Sequence, residues 1–107
     1  VIRDQRRDHR VAFFLGADLY LRPDGEKAGR AVVRDLSVSG MRLEALAPVS
    51  EGKVLYVDFE LAGRYKFQKV PAEVRRVYQH RNGFILGLVF QEPHDRRRLR
   101  EALSSVL

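Results

Sequence analysis

The feature that most constrains this chain is a two-residue apolar alternation, cut at intervals by turn signals and abandoned only in the last dozen residues. Val11, Phe13, Leu15, Ala17, Leu19 and Leu21 fall on one face of an extended segment, and the facing set is mixed. Alternation of this kind marks a strand with one buried face. Arg22-Pro-Asp-Gly-Glu26 then signals a turn, because Pro presets φ and Asp-Gly tolerates positive φ. Residues 28–36 resume as a strand, so the first two strands form a hairpin.

The same punctuation continues. Met41–Ala45 reads as a short third strand and residues 47–52 as a loop. Val54–Leu61 alternates, with Leu55, Val57, Phe59 and Leu61 on the side expected to be buried. Ala62-Gly63 turns. Tyr65–Tyr78 is extended but interrupted by Pro71, which implies an edge, a bend or a bulge. His80-Arg-Asn-Gly83 turns again, and Phe84–Phe90 is apolar enough for a central strand. Leu99, Ala102, Leu103 and Val106 follow helical spacing, and Pro93 suits a first helical turn. Arg96, Arg97 and Arg98 are expected on the exposed side near the helix amino end, where the helix dipole disfavours them. The expected fold class is all-β with one helix: a small six-stranded antiparallel β-barrel with a C-terminal α-helix over about 94–107, covering an open end. Residues 1–10 read as a flexible basic arm, and residues 11–107 as the barrel and helix.

Composition narrows the chemistry. The 107 residues allow one domain, and the absence of Cys removes disulfides, thiolate nucleophiles and Cys-ligated metals. No apolar run is long enough for a membrane span, and no secretory leader is visible. Val at position 1 suggests a piece of a longer protein. The three His residues show no metal-ligand spacing, and no Ser lies in a G-x-S-x-G elbow, so neither a catalytic residue nor a metal ligand is proposed. The net charge is +6, and 16 of the 20 basic residues are Arg. Arg offers a planar fork suited to phosphate and to the guanine O6/N7 edge, which suggests a phosphorylated or nucleotide partner. A solvated surface shaped by codon bias would give the same composition.

Two motifs stand out. Arg6 and Arg10 form an R-x-x-x-R pair, a spacing shared with Arg3/Arg7, Arg30/Arg34 and Arg96/Arg100, so the pair alone says little. Asp35-Leu-Ser-Val-Ser-Gly40 is a D-x-S-x-x-G between two strands. An ionised Asp35 could accept the N1–H and N2–H of a guanine, Ser37 could brace the turn, and Gly40 would allow positive φ and a close approach of a ligand to the backbone. The same residues also read as an ordinary Asx or Ser turn. Folding the chain about Asp24-Gly25 brings Arg10 near Ser39, so guanidinium groups and a guanine acceptor converge. That favours a small ligand containing phosphate and guanine over bulk nucleic acid.

R-x-x-x-R, a hairpin and then D-x-S-x-x-G resembles the PilZ domain family of bacterial cyclic di-GMP receptors. The likeness extends through Ala72-Glu-Val-Arg-Arg76, the Gly87-containing strand and Asp95-Arg-Arg-Arg-Leu99. It implies that Arg6 and Arg10 grip phosphates and guanine Hoogsteen edges, that Asp35 and Ser37 hold a guanine, and that Gly40 leaves room for it. Arg7, Ser39 and Arg76 are secondary candidates; Arg75 or Arg76 could stack on a base. It further implies a non-enzymatic cytoplasmic receptor without a cofactor, whose arm wraps the ligand and changes the surface shown to an effector protein or a further domain. DNA and RNA are not expected partners. Two rivals remain: an OB-like nucleic-acid barrel using the aromatic and basic Tyr65–Lys69 segment, and a PilZ-fold protein-interaction adaptor.

Overall fold

The computed structural model describes residues 11–106, with side chains from Leu15 onward. The arm expected over residues 1–10 lies outside the described residues. Six strands and one helix follow in chain order: β1 (Val11–Tyr20), β2 (Lys27–Leu36), β3 (Gly40–Ala45), β4 (Val54–Leu61), β5 (Tyr65–His80), β6 (Gly83–Phe90) and α1 (Pro93–Val106). The strands are antiparallel neighbours in the order β1-β2-β3-β6-β5-β4, and β4 returns to β1 to close the barrel. The expected six-stranded barrel with a terminal helix is therefore the observed one.

Closure depends on β5. Its first half pairs with β4 from Tyr65 to Glu73, and its second half pairs with β6 from Ala72 to His80. One long strand thus passes from one neighbour to the other, which requires it to bend. The interruption expected at Pro71 appears as a bulge two residues earlier, at Lys69, which takes φ 50°. The register against β4 shifts between Val57 and Phe59. Asp58 stabilises the bulge by accepting the Lys69 backbone N–H at 2.6 Å, and the Lys69 ammonium lies 3.9 Å from the Tyr20 ring centroid. A bulge of this kind bends a strand and raises its twist, as closure requires.

The alternation expected of each strand is largely what the barrel buries. Val33, Leu36, Met41, Leu43, Leu55, Val57, Leu61, Val74, Leu86 and Leu88 fill one continuous core. Leu21 departs from expectation: β1 ends at Tyr20, the chain turns at Arg22–Gly25, and Leu21 is 56% exposed. In that turn the Gly25 N–H donates to the Arg22 carbonyl at 3.2 Å. Gly25 keeps a negative φ there, and the glycines with positive φ are Gly52 and Gly63.

The helix adds Leu99, Ala102 and Leu103 to the same core. Its basic amino end is only partly turned to solvent. Arg97 is exposed, whereas the Arg98 guanidinium lies 4.5 Å from the Phe67 ring centroid and donates to the Lys66 carbonyl at 2.8 Å. Arg96 donates to the Gln91 carbonyl at 3.3 Å. These contacts offset a placement that the helix dipole disfavours. Tyr65 ties the other end of the helix, donating from its hydroxyl to Ser105 Oγ at 2.7 Å.

Phe67 joins barrel and helix. It is 1% exposed, stacked on Phe59 at a centroid distance of 4.8 Å, and covered by Arg98. Phe67→Ala is expected to destabilise the protein by about 3–5 kcal/mol. Urea unfolding followed by far-UV circular dichroism measures the loss; a change below about 1 kcal/mol would show that the ring is not central to the core.

Candidate ligand site around the D-x-S-x-x-G turn

The turn between β2 and β3 is built by its own side chains. The Ser37 N–H donates to the Gly40 carbonyl at 2.8 Å, closing a tight hairpin around Val38 and Ser39. The Ser37 hydroxyl accepts the Gly40 N–H at 3.3 Å and lies 3.4 Å from the Gly40 carbonyl. Ser39 Oγ lies 3.5 Å from Ser37 Oγ, and the Ser39 carbonyl accepts the Phe90 N–H at 2.8 Å. Ser37 therefore braces the turn, and Ser39 fastens it to the end of β6.

Gly40 has a different reason from the one expected. It does not adopt positive φ. A Cβ at this position would lie 2.1 Å from the Leu88 carbonyl oxygen on β6. The close approach that glycine permits here is that of the neighbouring strand.

Asp35 is the chemically informative residue. Among the described residues, Asp35 and Ser37 are the two buried polar side chains, at 5% and 0% exposure. Burying a carboxylate is costly unless it is paired and hydrogen-bonded. Arg42 supplies a partner: its Nε and Nη2 both lie 2.5 Å from Asp35 Oδ2. Residue-level reading of the sequence missed Arg42. The signal was present, because a two-residue turn centred between Val38 and Ser39 sets residue 42 opposite residue 35.

Strand register extends the site sideways. Asp35 on β2 pairs with Arg42 on β3, Arg42 with Gly87 on β6, and Gly87 with Arg76 on β5. Gly87 leaves a gap in this row. A depression of about 460 Å³ opens there, lined by Arg42, Arg75, Arg76, Tyr78, Gly87 and the Leu88–Val89 segment. A second, of about 230 Å³, adjoins it at Arg42 and includes Arg34, Tyr78 and His80. Arg34 is ion-paired with Glu44 at 3.1 Å. A bulge between Val74 and Arg76 inserts Arg75 as the extra residue, so both Arg75 and Arg76 border the depression. Tyr78 is 45% exposed and offers an aromatic face beside them.

The basic outer wall thus brings together Asp35 and Arg76 of the candidates named above, with Ser37, Ser39 and Gly40 forming the turn at its edge. Arg6, Arg7 and Arg10 lie outside the described residues. The register at the barrel wall is nevertheless informative: Val11 pairs with Leu36 and Ala12 with Asp35. Among the described residues, no cluster of His, Asp or Glu could hold a metal ion.

Two substitutions test this account of the turn. Gly40→Ala pushes a Cβ into a backbone oxygen and is expected to destabilise the barrel by about 1–3 kcal/mol. Ser37→Ala removes the brace and is expected to cost about 1 kcal/mol. Chemical denaturation of both variants measures these losses, and a neutral Gly40→Ala would contradict the close approach of β6.

Comparison with known proteins places the chain. The PilZ domain family model matches residues 4–105. No curated protein sequence matches. Among solved structures, Escherichia coli YcgR in complex with c-di-GMP superposes with a TM-score of 0.74 at 21% identity, covering 95% of this chain and 46% of YcgR. The MrkH–c-di-GMP complex of K. pneumonia gives a TM-score of 0.74 at 18% identity, covering 98% of this chain and 52% of MrkH. The Bacillus subtilis inhibitor of motility MotI gives 0.70 at 19% identity, with 96% and 52% covered. The chain thus spans about half the length of these proteins. With the family model running from just before the R-x-x-x-R pair into the last helix, and with the barrel to match, this chain belongs to the PilZ domain family.

Proposed function

We propose that this PilZ domain is a non-enzymatic receptor for cyclic di-GMP. The observation that carries the reading is the burial of the Asp35 carboxylate beneath Arg42, beside the Ser37 turn and an Arg-lined depression on the barrel wall. A buried carboxylate at a strand turn serves the core poorly; beside cations and an exposed tyrosine it suits a guanine that brings phosphates with it. Structures of YcgR and MrkH described as c-di-GMP complexes share the fold and support the choice of ligand.

In this reading Arg6 and Arg10 bind the phosphates and guanine Hoogsteen edges, with Arg7 as a further contact. Arg10 directly precedes Val11, which pairs with Leu36 inside the motif, so the arm needs little length to reach the site. Asp35 accepts from a guanine, the turn made by Ser37, Ser39 and Gly40 shapes the edge of the pocket, and Arg76 stacks on a base or bonds to it. Ordering the arm costs conformational entropy, offset by charge-assisted hydrogen bonds. The ordered arm changes the surface offered to an effector protein or to another domain of the same chain. Such a receptor works in the bacterial cytoplasm.

The OB-like rival loses support from the position of Phe67. A single-strand binder stacks bases on exposed aromatics. Phe67 lies in the core and Tyr65 is engaged with Ser105, so the Tyr65–Lys69 segment offers no aromatic platform. The adaptor rival has no use for a buried Asp35.

Isothermal titration of the chain with cyclic di-GMP tests the proposal and reads stoichiometry as well. Arg6→Ala and Arg10→Ala are each expected to weaken binding by roughly 2–5 kcal/mol, about 30-fold or more, without lowering the melting temperature. Wild-type affinity in both variants would remove the arm from the mechanism. Asp35→Ala is expected to narrow the preference for cyclic di-GMP over cyclic di-AMP, and an unchanged preference would contradict its role.

A further inference from the structure

We infer that Arg42 is a positioning residue that sets the base selectivity of this site by orienting the Asp35 carboxylate. The inference rests on the receptor reading above and assigns a task to a residue outside both motifs.

Three observations support it. First, Asp35 sits at an irregularity: the β2–β3 register shifts between Val33 and Asp35. A bulge re-aims the side chains around it, so backbone pairing alone does not settle where the carboxylate points. Second, two donors of one rigid fork, Nε and Nη2, meet the single oxygen Oδ2 at 2.5 Å each. Two donors of one planar group on a single oxygen anchor the position of Oδ2, which the single point charge of a lysine would hold less firmly. Third, Arg42 is placed to serve Asp35. The adjacent Arg34 is directed to Glu44, and Arg42 faces Gly87 on its other side, where no side chain competes for it.

Orientation matters because guanine and adenine differ in what they offer a carboxylate. Guanine presents N1–H and N2–H side by side. Adenine presents an acceptor at N1, which an ionised carboxylate repels. An acceptor-only group discriminates between them only if its oxygens face the base edge. Sites that leave a buried polar group unmatched reject the wrong ligand strongly. Arg42 therefore contributes to choice between bases, while its half-exposed guanidinium remains at the junction of the two depressions.

Titrations of cyclic di-GMP and cyclic di-AMP against wild type, Arg42→Ala, Arg42→Lys, Asp35→Ala and the Asp35→Ala/Arg42→Ala double variant test this. Arg42→Ala is expected to narrow the preference for cyclic di-GMP by at least about tenfold, the coupling expected of residues in direct contact. Arg42→Lys keeps the charge without the fork and recovers only part of the preference. The double variant shows no loss beyond Asp35→Ala. If Arg42→Ala does not fold, the Lys variant carries the same comparison. An unchanged preference in folded Arg42 variants, or equal weakening toward both dinucleotides as a phosphate contact would give, overturns the inference alone. Failure of wild type to bind cyclic di-GMP overturns the receptor reading, and this inference with it.

Discussion

Barrel closure through β5 is the constraint on which the rest of this structure depends. A sixteen-residue strand lies against β4 at one end and β6 at the other, and it must curl to do so. The bulge at Lys69 supplies the curl, and Asp58 holds it through the Lys69 backbone N–H. One seam is short: β1 meets β4 over Asp18–Tyr20, whereas it meets β2 over Val11–Tyr20. Among the described residues, the buried polar side chains Asp35 and Ser37 lie at the β2–β3 turn.

The turn shows how local chemistry and strand packing divide the work. Ser37 closes the hairpin from within, through bonds to Gly40. Gly40 is demanded from outside, by the Leu88 carbonyl of β6. Asp35 then needs a counter-charge, and Arg42 meets it across the hairpin. Each residue of the motif is thus explained by a contact of the barrel before any ligand is considered. What those contacts leave unexplained is why a carboxylate is buried there at all, since burying an ion pair is costly. The proposed receptor function gives it a purpose.

Several readings of the sequence failed for instructive reasons. Leu21 continues the alternation of β1, yet the strand ends one residue before it, at Tyr20, and leaves it exposed. Period-two pattern cannot say where a strand stops. Arg98 looks like a solvated residue badly placed on the helix dipole, and it instead covers Phe67 on a strand 31 positions away in the chain. Gly40 invited a conformational explanation and has a steric one. In each case the deciding neighbour is remote in sequence.

The order of strands and helix, the alternating core, the positions of the turns and the pairing of D-x-S-x-x-G with a hairpin were all legible from the residues, because each depends on patterns spanning fewer than about fifteen positions. Asp35 and Ser37 could be named from spacing alone. The row Asp35–Arg42–Gly87–Arg76 could not, since it joins four strands through three registers, two of them shifted by bulges that no local pattern announces. Side-chain periodicity is a property of one strand, whereas a binding wall is a property of how strands are set against one another. The first is written into the chain; the second arises only when the barrel closes.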